Sequence, residues 1–193
     1  MSDVRRWQLA VISGAGSSAE RVASVQQQTI ERHTISVLVD NEAGVLARVI
    51  GLFSGRGYNI ESLTVAEVDA AKHLSRIIVV TSGTPMIIEQ IKNQLQRLVP
   101  VHTVTDLTVE GPSIEREMAL IKVQGAGDKR VESLRIADIF RARVVDATIE
   151  SFVFEMTGSS DKLNAFIALM KPLGLSDVSR TGVVAMARGQ QED

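Results

Sequence analysis

One order of segments occurs twice along this chain, and that repeat constrains the fold more than any single motif. Residues 33–40 (HTISVLVD) are β-branched and alternating, the pattern of a strand. Residues 41–44 (NEAG) form a short turn with Asn41 as the cap-forming residue. Val45, Leu46, Val49, Ile50 and Phe53 then share one helical face, and this helix should end near Gly55-Arg56-Gly57. Residues 59–68 and 74–81 read as two strands joined by an acidic, alanine-rich turn at 69–72. Thr84-Pro85 sets a capping hydroxyl before a proline at the first helical position, and Ile87, Ile88, Ile91, Leu95 and Leu98 line a second helix. Pro100 stops that helix, and residues 101–109 give a fourth strand.

Gly111-Pro112-Ser113 breaks the pattern and marks a boundary. The same order then returns more faintly. Residues 117–124 read as a strand, 128–142 as a helix with a blurred apolar face, and 144–151 and 152–157 as two strands. Ser159-Ser160-Asp161 caps a helix carrying Leu163, Phe166, Ile167 and Met170, Gly174 ends it, and 178–187 supplies the last strand. The expectation is an α+β chain of two ferredoxin-like (βαββαβ) domains in tandem, at 32–110 and 114–189. Residues 1–31 stand apart as an extension, expected to be flexible.

Composition excludes several classes. The chain is 45% hydrophobic and 23% charged, as in globular proteins. With a formal net charge of −2 it has no basic field for nucleic acid or an anionic membrane. It contains no cysteine, which removes disulfides, thiolate catalysis and thiolate metal sites. No apolar run reaches the roughly 18 residues of a spanning helix, and the stretch 7–12 is shorter than the core of a signal peptide. A cytoplasmic location is the expectation. RNA recognition on a ferredoxin-like sheet needs aromatic strand residues for stacking, whereas 74–81 (LSRIIVVT) is aliphatic.

The catalytic candidates are weak. Residues 14–19 (GAGSSA) match G-x-G-x-x-A, with Asp40 about where a ribose-binding acid would stand. Yet the flanking helix is poorly apolar, and the segments beyond Asp40 make a ferredoxin-like half, so a Gly/Ser linker is the preferred reading. His33, His73 and His102 have no second ligand at metal-binding spacing and read as solvated or strand-edge histidines. The expectation is no catalytic residue and no metal site.

The turn 40–46 offers more. Backbone N–H groups of Gly44, Val45 and Leu46 would point out of a helix start, where the dipole favours a carboxylate. The side chain of Asn41 can serve both ends of a zwitterion, and Val45, Leu46 and Ile60 offer an apolar wall. Asn-x-x-Gly before a helix usually serves as a plain turn and cap, and the residues alone leave the binding reading open beside it.

The run 40–63, DNEAGVLARVIGLFSGRGYNIESL, closely resembles the ACT-type amino-acid-binding domain of acetohydroxyacid synthase (acetolactate synthase) regulatory subunits. The resemblance continues through LTVAEVD and LSRIIVVTSG and reaches RTGVVAMARG at 180–189, covering about 32–189. It implies an N-terminal ACT domain, a homodimer formed by such domains, and valine bound at their interface. It also implies a catalytic large subunit as partner, activated by this chain and made subject to feedback inhibition in branched-chain amino acid biosynthesis. The effector residues it implies are Asn41, Gly44, Val45 and Leu46 of one protomer, with Asn59 and Ile60 of the facing one. Thiamine diphosphate, magnesium and FAD are expected only on the partner, and neither nucleic acid nor membrane is expected as a ligand. A free-standing ACT-domain sensor acting on another partner is the alternative function.

Overall fold

Alternation along the first strand sorts its side chains between two layers. In the computed structural model, which describes residues 29–189, β1 (Glu31–Asp40) turns Ile35, Val37 and Val39 toward two helices, each at most 1% exposed. Those helices are α1 (Val45–Arg56) and α2 (Pro85–Leu95). Val45, Val49 and Phe53 of α1 and Ile88, Ile91 and Leu95 of α2 fall on helical stripes and close this core. Thr84 caps α2 by accepting from the N–H of Ile87, and Pro85 opens it, as its sequence requires. Strands β2 (Ser62–Asp69), β3 (Leu74–Gly83) and β4 (Val101–Asp106) complete an antiparallel sheet ordered β2-β3-β1-β4. Strand β2 stands at one edge.

The second half repeats this topology. Strand β5 (Ser113–Gln124) is followed by α3 (Asp128–Phe140), β6 (Arg143–Ala147), β7 (Ser151–Gly158), α4 (Ser160–Gly174) and β8 (Leu175–Arg180). The order β6-β7-β5-β8 is the same path as in the first sheet. Its core is richer in phenylalanine than the first, where Phe53 is the one buried phenylalanine. Phe166 of α4 meets Phe154 at 5.9 Å and Phe140 at 5.4 Å between ring centroids. Helix α3 buries only Ser133 and Ala137, while Val131 and Ile139 are each 67% exposed, which is why its apolar face looked blurred.

The last strand is a correction. Residues 178–187 were expected to form one strand, but they form two. β8 pairs with the middle of β5, Ile121 opposite Val178. The chain then breaks at Thr181-Gly182-Val183, and β9 (Val184–Ala187) pairs with the start of β5, Ser113 opposite Ala187. The ribbon of β9 and the start of β5 lies over the outer face of the first sheet. It leaves a cavity of about 630 Å³ bordered by Ser36, Leu38 and Arg76 of the sheet and Ala185 and Met186 of the ribbon. On that face Ile78 and Val80 are 4% and 1% exposed, so the first sheet is covered on both sides. The expected strand bounds 59–68 and 101–109 shorten to Ser62–Asp69 and Val101–Asp106. The glycine motif at 14–19 and nearly all of the extension 1–31 lie outside the described residues.

Candidate binding site

Strand β1 ends at Asp40, and a four-residue turn delivers the chain into α1 through Gly44. Gly44 is the N-cap residue at φ +88°, and no side chain caps the helix. An L-residue in that left-handed region costs about 1–2 kcal/mol, which glycine avoids. A Cβ built on Gly44 meets no atom within 4 Å, so the space over the helix start is open. Asn41 is therefore not the cap its position suggested. Its side-chain amide instead donates to Glu67 Oε1 at 3.1 Å and ties the turn to β2. The N–H of Val45 makes only a long 3.4 Å contact to the Glu42 carbonyl, and those of Gly44 and Leu46 have no partner among the described residues. The first turn of α1 holds no acidic side chain. No first-turn acid therefore offsets its positive dipole end, roughly half an elementary charge. Such an arrangement can take a carboxylate or another small anion.

The apolar wall is narrower than the sequence suggests. Val45 is 3% exposed because it shares the inward stripe of Val49 and Phe53, so it offers a ligand its backbone alone. Ile60 packs against the same core. Leu46, 37% exposed, is the apolar side chain left open at the helix start.

Asn59 and Ile60 stand at the other end of α1. Twelve residues of helix separate the two groups by about 18 Å, so one chain does not bring the six residues together. The segment is pinned to β3, where the Asn59 carbonyl accepts from Thr81 Oγ1 at 2.6 Å and the Glu61 N–H donates to Val80 O at 2.8 Å. The far end of β2, in contrast, lies beside the Gly44 turn, since Asp69 is in register with Leu74 and Leu74 with Asp40. Among the described residues β2 has no strand partner on its outer edge between these points, and Val65 and Val68 are 44% and 50% exposed.

The histidines correct another expectation. His33 is not solvated: it is 5% exposed, and its Nδ1 lies 2.7 Å from Asp106 Oδ2, a carboxylate 1% exposed. His102 Nε2 meets Asp40 Oδ1 at 2.6 Å on the surface, which occupies the carboxylate that a ribose would have needed. His73 holds a left-handed turn position at φ +52°. No group of three or more potential metal ligands converges among the described residues.

With this geometry in place, the relatives are informative. Residues 35–103 match the family model for the AHAS small subunit-like ACT domain, and 116–189 match that for the small subunit of acetolactate synthase. A probable acetolactate synthase small subunit from Archaeoglobus fulgidus is 47% identical over 161 residues, 83% of this chain and 99% of that one. The chain belongs to the acetolactate synthase small-subunit family. The isozyme 3 small subunit of Escherichia coli K12 is 45% identical over 83% of this chain and 98% of its own length. The crystal structure of the small subunit from Thermotoga maritima superposes with a TM-score of 0.74 at 40% identity, covering 83% and 99%. The α+β fold with an ACT-like first half is thereby the fold of the family.

One cluster in this family member escaped sequence reasoning. Glu117, 5% exposed at the centre of β5, receives Arg180 Nε at 2.7 Å and Nη2 at 2.5 Å, and Ser160 Oγ at 3.0 Å. Arg180 Nη1 also donates to Asn164 Oδ1 at 2.8 Å. Burial alone would push the Glu117 carboxyl up. The hydrogen bonds from Arg180 and Ser160, the guanidinium charge and the Gly182 N–H together hold it below the usual carboxylate range. Arg180 opens the run RTGVVAMARG, but its partner is 63 residues away, and no local pattern points to it.

Proposed function

We propose that this chain is a non-catalytic regulatory subunit that binds valine and sets the activity of a separate acetolactate synthase catalytic subunit in the cytoplasm. The observation that carries the reading is the α1 start. It is a helix N-terminus opened by a left-handed glycine, lacking any acid in its first turn, beside a free strand edge. The N–H groups take the effector carboxylate, and Asn41 and Leu46 supply its polar and apolar neighbours. Pairing of two β2 edges about a two-fold axis runs the strands antiparallel. The Asn59–Ile60 segment of one chain then comes to the end of β2 in the other, beside its Gly44 turn. That juxtaposition supports a homodimer with effector in the seam, because one chain alone leaves the six residues about 18 Å apart. Condensation of pyruvate with a second 2-ketoacid, with its thiamine diphosphate, magnesium and FAD, belongs to the partner, and this chain acts on it allosterically through feedback inhibition. Reconstitution tests the proposal. The purified chain alone makes no acetolactate; added to its catalytic subunit it raises the rate and confers inhibition by valine. Acetolactate production that tracks the chain's own concentration through stringent purification would overturn it.

A further inference from the structure

The break between β8 and β9 places one residue, Val183, in contact with both halves. Val183 is 3% exposed, and both of its backbone polar groups go to hydroxyls of the edge strand β2. Its N–H donates to Ser62 Oγ at 2.8 Å, and its carbonyl accepts from Thr64 Oγ1 at 2.8 Å. Gly182 makes this approach possible. It sits at φ +83°, and a Cβ there would stand 2.8 Å from Ser62 Oγ and 3.0 Å from Thr64 Cγ2. On its other side the same three-residue break is fastened to the second half. The Thr181 N–H donates to Met118 O at 3.0 Å and the Met118 N–H donates to Thr181 Oγ1 at 3.1 Å, next to the buried Glu117. Glu117 in turn fixes Arg180 and the start of α4 through Ser160.

Ser62 lies two residues beyond Ile60, so the strand that begins at the proposed effector segment is the strand that holds the break. We propose that residues Thr181-Gly182-Val183 are the joint through which effector occupancy at Asn59–Ile60 is passed to the second half, with Ser62 and Thr64 as positioning residues. This rests on the valine-binding reading above. Hydroxyl pairs of this kind transmit a displacement because a hydrogen bond is directional and fails within a few tenths of an ångström. A buried backbone N–H and C=O cannot exchange their partners for water without opening the seam. A displaced β2 therefore either carries Val183 with it or breaks both bonds.

Hydrogen exchange on the full chain, with and without valine, tests the joint. In the wild type, valine slows exchange at residues 43–47 and also at 181–187. In the double variant Ser62→Ala/Thr64→Val, valine still protects 43–47, but the response at 181–187 disappears. Thr64→Ser, which keeps the hydroxyl, retains the response on an otherwise wild-type chain. In the reconstituted holoenzyme the double variant binds valine normally but is inhibited weakly. Site-to-site coupling is typically worth roughly 5- to 150-fold in affinity, and here it falls below about twofold. If the double variant is too unstable to study, Thr64→Val alone keeps the side-chain volume and is expected to show the same loss in part. A wild-type chain protected at 43–47 but unchanged at 181–187 overturns the joint and leaves the valine site standing. So does a double variant whose remote response and inhibition remain intact. A wild-type chain with no response to valine anywhere overturns the site and the joint together.

Discussion

Replacing Gly44 by Asp places a carboxylate at the point where the effector's own carboxylate is proposed to sit. The structure allows its two consequences to be separated. A Cβ at residue 44 meets no atom within 4 Å, so nothing must move to admit the side chain. The cost to folding comes from φ +88°, about 1–2 kcal/mol for an L-residue. Asp tolerates this region better than most, and a negative charge at the helix start returns roughly 0.3–1 kcal/mol. The net loss of stability is therefore between about 0 and 1.7 kcal/mol. Two carboxylates about 4 Å apart repel by roughly 1 kcal/mol in full solvent and by roughly 4 kcal/mol at an effective dielectric near 20. The exposed turn lies between these limits, giving a loss of about fivefold to a thousandfold in valine affinity. Gly44→Asn supplies the comparison, since it takes the same backbone with nearly the same shape and no charge. Titration calorimetry on the two variants should show Asp far weaker than Asn, with the gap narrowing as salt rises. Equal affinities of the two variants in folded protein would mean that no carboxylate binds at the α1 start.

Other perturbations probe the second half, the first core and the free edge. Glu117→Gln leaves the Arg180 guanidinium facing a neutral amide in a half-buried site, and should destabilise the second half by about 2–4 kcal/mol in urea melts. Because the Glu117 carboxyl is held below its ordinary value, its contribution is complete above about pH 4.3 and is lost as pH falls through the depressed folded value. Acid melts of the wild type should show this loss, and those of Glu117→Gln should not. Phe166→Ala empties the centre of an aromatic cluster in which Phe166 is fully buried, and should cost about 3–5 kcal/mol by denaturant titration. Asp106→Ala strips His33 of the carboxylate at 2.7 Å and the Thr108 N–H of its acceptor, a loss of about 2–4 kcal/mol on the first half. Light scattering on the full chain should give twice the monomer mass, and a charge pair Val65→Asp/Val68→Asp on the β2 edge should halve it.

How much was legible depended on whether a feature is local. The repeated βαββαβ order could be read because strand alternation, the proline at the start of α2 and the apolar stripe of α1 are all written within a dozen residues. The split of 178–187 could not. Thr181-Gly182-Val183 interrupts an otherwise strand-like run, but the reason for the break is Ser62 and Thr64, about 120 residues earlier. The burial of His33 failed to show for the same reason, since Asp106 is 73 residues away. At the proposed effector turn, the strand–turn–helix order was legible but not the direction of its side chains. Asn41 looked like a cap until β2 brought Glu67 within 3.1 Å, and Val45 looked like a pocket wall until its stripe turned inward. Sequence spacing locates backbone on an element; the face presented to a ligand is set by what the rest of the chain covers.

The two halves also differ at the turn before each first helix, which supports one proposed effector site and not two. Each sheet sends its first strand into a helix through a glycine, Gly44 before α1 and Gly127 before α3, and neither helix has a side-chain cap. The difference lies one residue further on. Helix α3 opens with Asp128, an acid in its own first turn, whereas α1 opens with Val45 and has none. A carboxylate in the first turn offsets the helix dipole by roughly 0.3–1 kcal/mol and repels a second anion. The second turn is further restricted by Arg130. Its guanidinium lies 3.7 Å over the Phe152 ring and donates to Thr148 O at 2.7 Å, so it is committed to the wall of its own half. The α3 start thus carries an acid of its own, while the α1 start has none, which is the difference the proposed effector site relies on.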